Sequence, residues 1–313
     1  MFEFIGLLVV VVWLLKVAHT VPGVCSRRRS LPKTLGDKLV ITGATDGIGR
    51  AYADLAAKNG IPILVLVGRN QEKLDAVKRE VETKTTTVRT VQADFDSADL
   101  TKTAGFEELK RELSTAESLI NCAGVSYPGA MYYEEVGVPF LDTLIRVNLM
   151  STMIAAHLAY KGMRARGKGL LVFMGSASSL VAEPLLVGYA GTKGAIDGLG
   201  RSLQAECVST EFGIQIQVPF MVTTKMSKIR KPSLLVPSAD AYARAGLRAA
   251  CHASNRTVND SMRATICPYW SHQVILNVCQ RLPRYLWEQF RLSEQKVLRK
   301  KYMAKVTKAT TTA

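Results

Sequence analysis

Metal-binding spacing is the first thing missing from this chain. Its six cysteines, Cys25, Cys122, Cys207, Cys251, Cys267 and Cys279, form no C-x-x-C pair. That argues against a metal site and a small disulfide scaffold, and it fits free thiols in a reducing compartment. Zinc-finger spacing and RNA-recognition motifs are also absent, so nucleic acid is not an expected partner despite the basic composition. Acidic residues are few: 26 Asp and Glu against 41 Lys and Arg, a net charge of +15. Such an excess suits an anionic membrane surface or a polyphosphate ligand. The distribution favours the membrane, because the charges flank apolar stretches. Arg27, Arg28 and Arg29 follow one such run, and from Arg281 to the end nine Lys or Arg stand beside aromatics and leucines with only two Glu.

What is present is apolar. Hydrophobic residues make up 48% of 313 positions, enough for one large α/β domain with appendages or for two small domains. The run Phe4 to Pro22 would span about 28 Å as a helix, close to the thickness of a bilayer core. Lys16 lies near one end and can snorkel. Glu3 precedes the run and the arginines follow it, the reverse of a cleaved signal peptide, so a retained anchor is expected, with a hairpin or interfacial segment as the alternative. The positive-inside rule then places the remainder of the chain in the cytosol. Pro22, Gly23 and Pro32 mark a linker. The expected organisation is an anchor over 1–24, a basic linker over 25–36, an α/β domain over 37–260, and a helical, basic C-terminal extension over 261–313.

The run Lys38-Leu-Val-Ile-Thr42 followed by Gly43-Ala-Thr-Asp-Gly47-Ile-Gly49 reads as strand, glycine turn and helix. Such a turn lets a backbone approach a pyrophosphate at a helix N-terminus. An ordinary strand–helix turn is the competing reading. Ile61–Val67 is a continuous apolar run, as in a buried parallel strand. It ends at Arg69, where Asp or Glu would hold a ribose 2′-hydroxyl and an Arg suits a 2′-phosphate; Lys73 is a possible helper. A helix from about Gln71 to Thr83, a strand near Thr87–Gln92 ending at Asp94, and a strand closing at Asn121-Cys-Ala-Gly124 continue the β–α alternation. This pattern predicts an α/β fold with a Rossmann-type doubly wound parallel sheet.

Thirteen positions separate Ser176 from Tyr189, and Lys193 follows one helical turn later. Bringing a tyrosine from about pKa 10 toward neutrality takes roughly 4 kcal/mol of preferential phenolate stabilisation, part of which a neighbouring lysine can supply. A serine hydroxyl at the same spot can hydrogen-bond a carbonyl oxygen. Alone, Tyr-x-x-x-Lys is more often an ordinary pair on a surface helix.

With the glycine turn, Asn121-Cys-Ala-Gly124, Ser176 and Tyr189/Lys193 in this order, residues 36 to 230 resemble the short-chain dehydrogenase/reductase family. Thr42-Gly-Ala-Thr-Asp-Gly-Ile-Gly-Arg-Ala-Tyr-Ala, Gly68-Arg-Asn-Gln-Glu-Lys-Leu and Thr224-Lys-Met-Ser-Lys-Ile-Arg-Lys-Pro-Ser narrow the resemblance to its membrane-bound branch. That branch comprises very-long-chain 3-oxoacyl-CoA reductases and related 17β-hydroxysteroid dehydrogenases. The resemblance implies NADPH/NADP+ as cofactor. Gly43, Thr45, Asp46, Gly47, Ile48 and Gly49 would surround the pyrophosphate and Arg69 the 2′-phosphate. Asp94 would meet the adenine, Asn121, Ala123 and Gly124 would form the cleft wall, and Pro219 and Thr224 would end the segment over the nicotinamide. Ser176, Tyr189 and Lys193 would be catalytic, with Ser176 and Tyr189 touching substrate, Lys193 holding the nicotinamide ribose, and Asn148 supporting a proton relay through water. Cys122, Gly175 and Phe220 depart from the wider family's pattern, and Gly175 is expected to loosen its strand end.

The resemblance implies reduction of a 3-oxoacyl-CoA in fatty-acid elongation at the endoplasmic reticulum, with the domain facing the cytosol. The alternatives are ketosteroid reduction and, from another class, a non-catalytic lipid- or partner-binding membrane protein. Gly191, Gly194 and Gly198 in a helix expected over Tyr189–Glu211 suggest close approach of another helix, and the family pairs this helix in a homodimer; partners of an elongation complex are the other association expected. Lys225, Lys228, Arg230 and Lys231 cluster in a substrate loop, facing CoA phosphates, solvent or membrane. Ile266 to Arg291 suits an interfacial helix or helix pair, with core packing as the alternative, and the tail from Arg299 is expected to be mobile.

Overall fold

The computed structural model describes residues 34–207, 212–253 and 264–311. The apolar run at Phe4–Pro22 and the arginines behind it lie outside the described residues.

Seven parallel strands form one sheet: β1 (Lys38–Thr42), β2 (Ile63–Gly68), β3 (Thr87–Gln92), β4 (Ser118–Asn121), β5 (Gly169–Met174), β6 (Phe212–Gln217) and β7 (Thr265–Ile266). Their order is β3-β2-β1-β4-β5-β6-β7, so the winding reverses between β1 and β4. The register levels the strand ends: Thr42 lies beside Val67 and Asn121, Asn121 beside Phe173, and Phe173 beside Ile216. One rim of the sheet therefore collects every loop that carries a candidate site residue, as such sheets do at a switch point.

Helices cover both faces. The first four are α1 (Gly47–Lys58), α2 (Gln71–Val81), α3 (Phe106–Ser114) and α4 (Val138–Leu144). They are followed by α5 (Ser151–Arg166), α6 (Val187–Glu206), α7 (Ala239–Ala253), α8 (Trp270–Cys279) and α9 (Arg284–Thr311). Strand alternation sends Leu39, Ile41, Leu64 and Leu66 to one core with Tyr52 and Tyr242, and Val40, Val65, Leu119 and Leu171 to another with Leu109, Ala159 and Ile196. Between α4 and α5 the chain makes a π-helical turn, Ile145–Met150. The whole stretch Val138–Arg166 has the length and apolar composition to cross a membrane. Its Ala155, Ala156, Ala159 and Met163 nevertheless pack in the core.

Four findings bear on the sequence-based expectations. The sheet continues past residue 260, because β7 adds a last strand beside β6. Two residues are too short a run to show a period. The tail beyond Arg299 is helical through Thr311, as its Lys, Ala and Met content and lack of Gly or Pro favour. Among the described residues α6 ends at Glu206. A Cβ on Gly191, Gly194 or Gly198 would meet no atom within 4 Å, so no other helix of the described chain approaches them.

Candidate active site

The glycine turn after β1 is built for close approach. Gly43 (φ +65°) and Gly47 (φ +55°) have left-handed backbones, and a Cβ on Gly49 would lie 2.3 Å from the Gly43 carbonyl oxygen. Asp46 caps α1, its Oδ1 accepting from the Gly47 N–H at 2.7 Å, while its other oxygen pairs with Lys225 at 2.7 Å. A cation from the following loop thus offsets the carboxylate at the turn. Thr45 and Ile48 are half-buried beside it. This cradle fits an anionic pyrophosphate at a helix N-terminus.

At the end of β2 the Arg69 side chain is exposed and, among the described residues, makes no ion pair; its carbonyl accepts from Gln92 Nε2 at 3.1 Å. Asn70 caps α2 on the Lys73 N–H at 2.8 Å. Arg69 and Lys73 are both exposed at this strand end. Asp94, also exposed, accepts from the Asp96 N–H at 3.0 Å.

Asn121 faces inward. Its Oδ1 accepts from Thr42 Oγ1 at 2.6 Å and its Nδ2 donates to the Thr152 carbonyl at 3.2 Å, while the Ala123 N–H donates to Thr42 Oγ1 at 3.1 Å. The side chain is buried, so it holds the wall rather than offering a contact. A Cβ on Gly124 would stand 3.3 Å from Asn148 Oδ1 and 3.7 Å from Lys193 Nζ. The cleft floor is therefore shared by β4, the π-helical turn and α6.

Asn148 brackets one residue. Its Oδ1 accepts from the Val125 N–H at 2.7 Å, and its Nδ2 donates to the Val125 carbonyl at 3.0 Å and to Thr192 Oγ1 at 3.1 Å. Its own carbonyl accepts from Thr152 Oγ1 at 2.7 Å. The π-helical turn aims this side chain across the cleft, a common use of such bulges.

Ser176 follows β5. Its Oγ accepts from Ser178 Oγ at 2.9 Å, and it lies near enough to the Tyr189 phenol to influence its ionisation. Burial pushes the Tyr189 pKa above its ordinary value, the Ser176 hydroxyl pulls it down, and the Glu183 carboxylate raises it. Lys193 is 4% exposed, and its ammonium lies 5.8 Å from the Tyr189 ring centroid and donates to the Met174 carbonyl. Burial brings this lysine down to about 8, partly opposed by neighbouring Cys122. In the protein alone, then, burial dominates at the phenol.

Gly175 does not loosen its strand. Its N–H donates to the Gln217 carbonyl at 2.8 Å, and a Cβ there would come within 3.0 Å of Ile216. Pro219 is buried, and its carbonyl accepts from the Ala177 N–H at 2.9 Å. The Thr224 methyl would stand 3.2 Å from a Cβ on Gly47, so this loop reaches the glycine turn.

Several site residues carried no sequence signal. His272, fully buried on α8, accepts from the Phe220 N–H at 3.3 Å, while its Nε2 faces the Leu235 carbonyl at 3.2 Å. It fastens both ends of the loop that carries Lys225 to Lys231. Burial lowers its pKa to about 4, so it sits there as a neutral ring. Tyr127 accepts from the Gly188 N–H at 2.9 Å and packs with Val136, Leu144, Leu186 and Tyr189 into an apolar wall. Leu180 and Val181 pack, partly buried, on the core that holds Val40, Leu119 and Leu171.

The family profile of the short chain dehydrogenases matches residues 37–234. A very-long-chain 3-oxoacyl-CoA reductase of Rattus norvegicus is 34% identical over 281 residues, covering 88% of this chain and 84% of its own. An inactive hydroxysteroid dehydrogenase-like protein 1 of Pongo abelii is also 34% identical, over 86% and 79%. Among solved structures, a short-chain dehydrogenase from Sphingobium yanoikuyae in complex with NADPH shares the fold, with a TM-score of 0.60 at 24% identity over 68% of this chain and 83% of that one. The matched span, the sheet order and the rim of site loops agree: this chain belongs to the short-chain dehydrogenase/reductase family.

Proposed function

We propose that this protein reduces the 3-oxo group of long-chain 3-oxoacyl-CoA with NADPH, as a step of fatty-acid elongation at the endoplasmic reticulum membrane, its catalytic domain in the cytosol. The observation that carries the reading is the meeting of Ser176, Tyr189 and Lys193 at the rim of the sheet, the Lys193 ammonium 5.8 Å from the Tyr189 ring centroid and bonded to the Met174 carbonyl at the end of β5. The activity named for the Rattus norvegicus relative supplies the substrate class. Likeness to an inactive relative raises the non-catalytic alternative, and the complete Ser176, Tyr189 and Lys193 set argues against it.

The residues fit the cofactor. The turn from Gly43 to Gly49 has no room for a side chain at Gly49, and exposed Arg69 suits a 2′-phosphate. Bound there, NADPH supplies the hydride. Ser176 donates to the substrate carbonyl oxygen as negative charge builds on it. Tyr189 gives that oxygen its proton as general acid. Lys193 places a positive charge near the Tyr189 ring and would hold the nicotinamide ribose. Asn148 keeps the Val125 loop against α6, and Tyr127, Val136 and Leu186 exclude water from one side.

The outward face of α9 supports membrane contact. Leu286, Phe290 and Val297 are exposed, and Lys296, Lys300 and Lys301 flank them. Trp270 and Val278 of α8, and Leu234 and Leu235 of the substrate loop, are exposed as well. Apolar faces edged with lysine settle at an anionic interface. The open glycine face of α6 is available to a second copy.

The test is NADPH oxidation by membranes containing the protein, with 3-oxoacyl-CoA and a 17-ketosteroid assayed in parallel. Turnover of the acyl-CoA is the expected result. Activity with the steroid alone overturns the substrate assignment, and silence with both favours the non-catalytic alternative.

A further inference from the structure

The C-terminal helix is inverted. Helices on soluble domains face the protein with their apolar stripe, whereas α9 turns Trp287, Arg291, Gln295, Arg299 and Tyr302 inward. Trp287 Nε1 donates to the Ala182 carbonyl at 3.2 Å. Arg291 pairs with Glu183, their side chains 13% and 11% exposed, and Gln295 donates to the same carboxylate. Arg299 pairs with Glu135 and stacks 5.1 Å over Tyr132. Tyr302 lies on Gly129, where a Cβ would come within 2.2 Å of its ring, and Lys228 of the substrate loop sits 5.9 Å over that ring. One helix thus spans three walls of the substrate mouth: the segment between Ser176 and Tyr189, the loop after β4, and the substrate loop.

We propose that Arg291 is a positioning residue for the reaction, holding Glu183 so that the segment between Ser176 and Tyr189 keeps the two catalytic hydroxyls in register. The proposal rests on the reductase reading above.

The physical case is local. Leu185 has φ +62°, a conformation costly for a side chain with a Cβ. Its carbonyl is held by the Met131 N–H at 3.1 Å, and the residues just before it are held by α9. Without Arg291, Glu183 becomes a covered carboxylate with no cation against it. It must then swing outward, dragging the Leu185 turn with it, or remain and hold protons more tightly at the site. The charged and titratable groups around Tyr189 are Ser176 and Glu183 before it, Lys193 after it, Tyr127 and Cys122 from the loop after β4, and Arg291 with Glu294 from α9. Glu183 raises the phenol's pKa, and the Arg291 cation lies directly against that carboxylate.

The test compares Arg291→Met, Glu183→Gln and the double variant with the full-length protein in mild detergent, after thermal melting has shown each to be folded. NADPH affinity is read by fluorescence, since the cofactor cradle lies apart from α9. Arg291→Met is expected to lower kcat for 3-oxoacyl-CoA roughly tenfold to a hundredfold, the scale of a small misplacement of reacting groups. It should move the alkaline limb of the pH profile upward, because an unpaired carboxylate retains whichever proton leaves first, from Lys193 or from Tyr189. NADPH affinity stays within twofold, and the double variant returns the limb to its wild-type position. Wild-type kcat in Arg291→Met, or a fall in kcat with the limb unmoved in both single variants, overturns the proposal while leaving the reductase reading intact. A wild-type protein that binds NADPH yet does not turn over 3-oxoacyl-CoA overturns both.

Discussion

The ammonium group of Lys193 donates to the carbonyl oxygen of Met174 at 2.8 Å. This bond ties α6 to the end of β5, so the helix carrying Tyr189 and the strand delivering Ser176 move as one unit. Its cost is a buried charge, which brings the lysine down to about 8 from an ordinary value of 10.5.

Two opposite pH dependences follow from that one group. Reduction needs the charged lysine beside Tyr189, so kcat should decline as pH rises through about 8, and Lys193→Met should be nearly inactive with no such limb. Stability runs the other way. Between about pH 8 and 10.5 the folded chain holds fewer protons on this lysine than the unfolded chain, so the penalty of burying the charge is present in full below pH 8 and is relieved as pH climbs. Urea midpoints at pH 7.5 and 9.5 should show a smaller pH-dependent gain for Lys193→Met than for the wild type. Parallel slopes contradict the assignment.

Arg69 is the residue proposed to read the cofactor's 2′-phosphate. Replacing it by Glu should raise the KM for NADPH about tenfold to a hundredfold, the scale of a lost charge-assisted hydrogen bond. The KM for NADH should be little changed. Steady-state kinetics with both cofactors checks this, and equal losses for the two would mean that Arg69 does not read the 2′-phosphate.

His272 makes the substrate loop acid-sensitive. Its folded pKa of about 4 lies below the ordinary 6.5, so the folded state binds fewer protons between those values. Its contribution is fully present above pH 6.5 and is lost as pH falls toward 4, on the order of 3 kcal/mol. Denaturation midpoints at pH 7 and 4.5 should differ less in His272→Gln than in the wild type. An unchanged difference would show that protonation of this ring is not coupled to unfolding.

The parts of this molecule legible in the sequence are those with a local cause. β1 and its turn are readable because three glycines within seven positions meet a backbone demand, seen at Gly43, Gly47 and Gly49. Tyr189 and Lys193 are readable because helical spacing alone puts them on one face. The alternation in β6 marks a strand, yet Gln215 and Gln217 are fully buried, their amides bonded to carbonyls of α7. Burial of that kind depends on a helix beyond residue 238. His272, Glu183 and Arg291 were illegible for the same reason: each acts through a partner tens of residues away, and no spacing rule links them. The apolar residues of α8 and α9 pointed to an interface, but only the packing shows which face of α9 is turned to the protein.

Reduction by this protein would depend on one proton donor, Tyr189. The most direct measurement is NADPH oxidation by the purified protein in mild detergent, wild type against Tyr189→Phe, with a long-chain 3-oxoacyl-CoA and with NADPH binding followed separately. Steady turnover by the wild type is expected, with a loss of at least about a thousandfold in the Phe variant at nearly unchanged NADPH affinity. A Phe variant that turns over at the wild-type rate would contradict it.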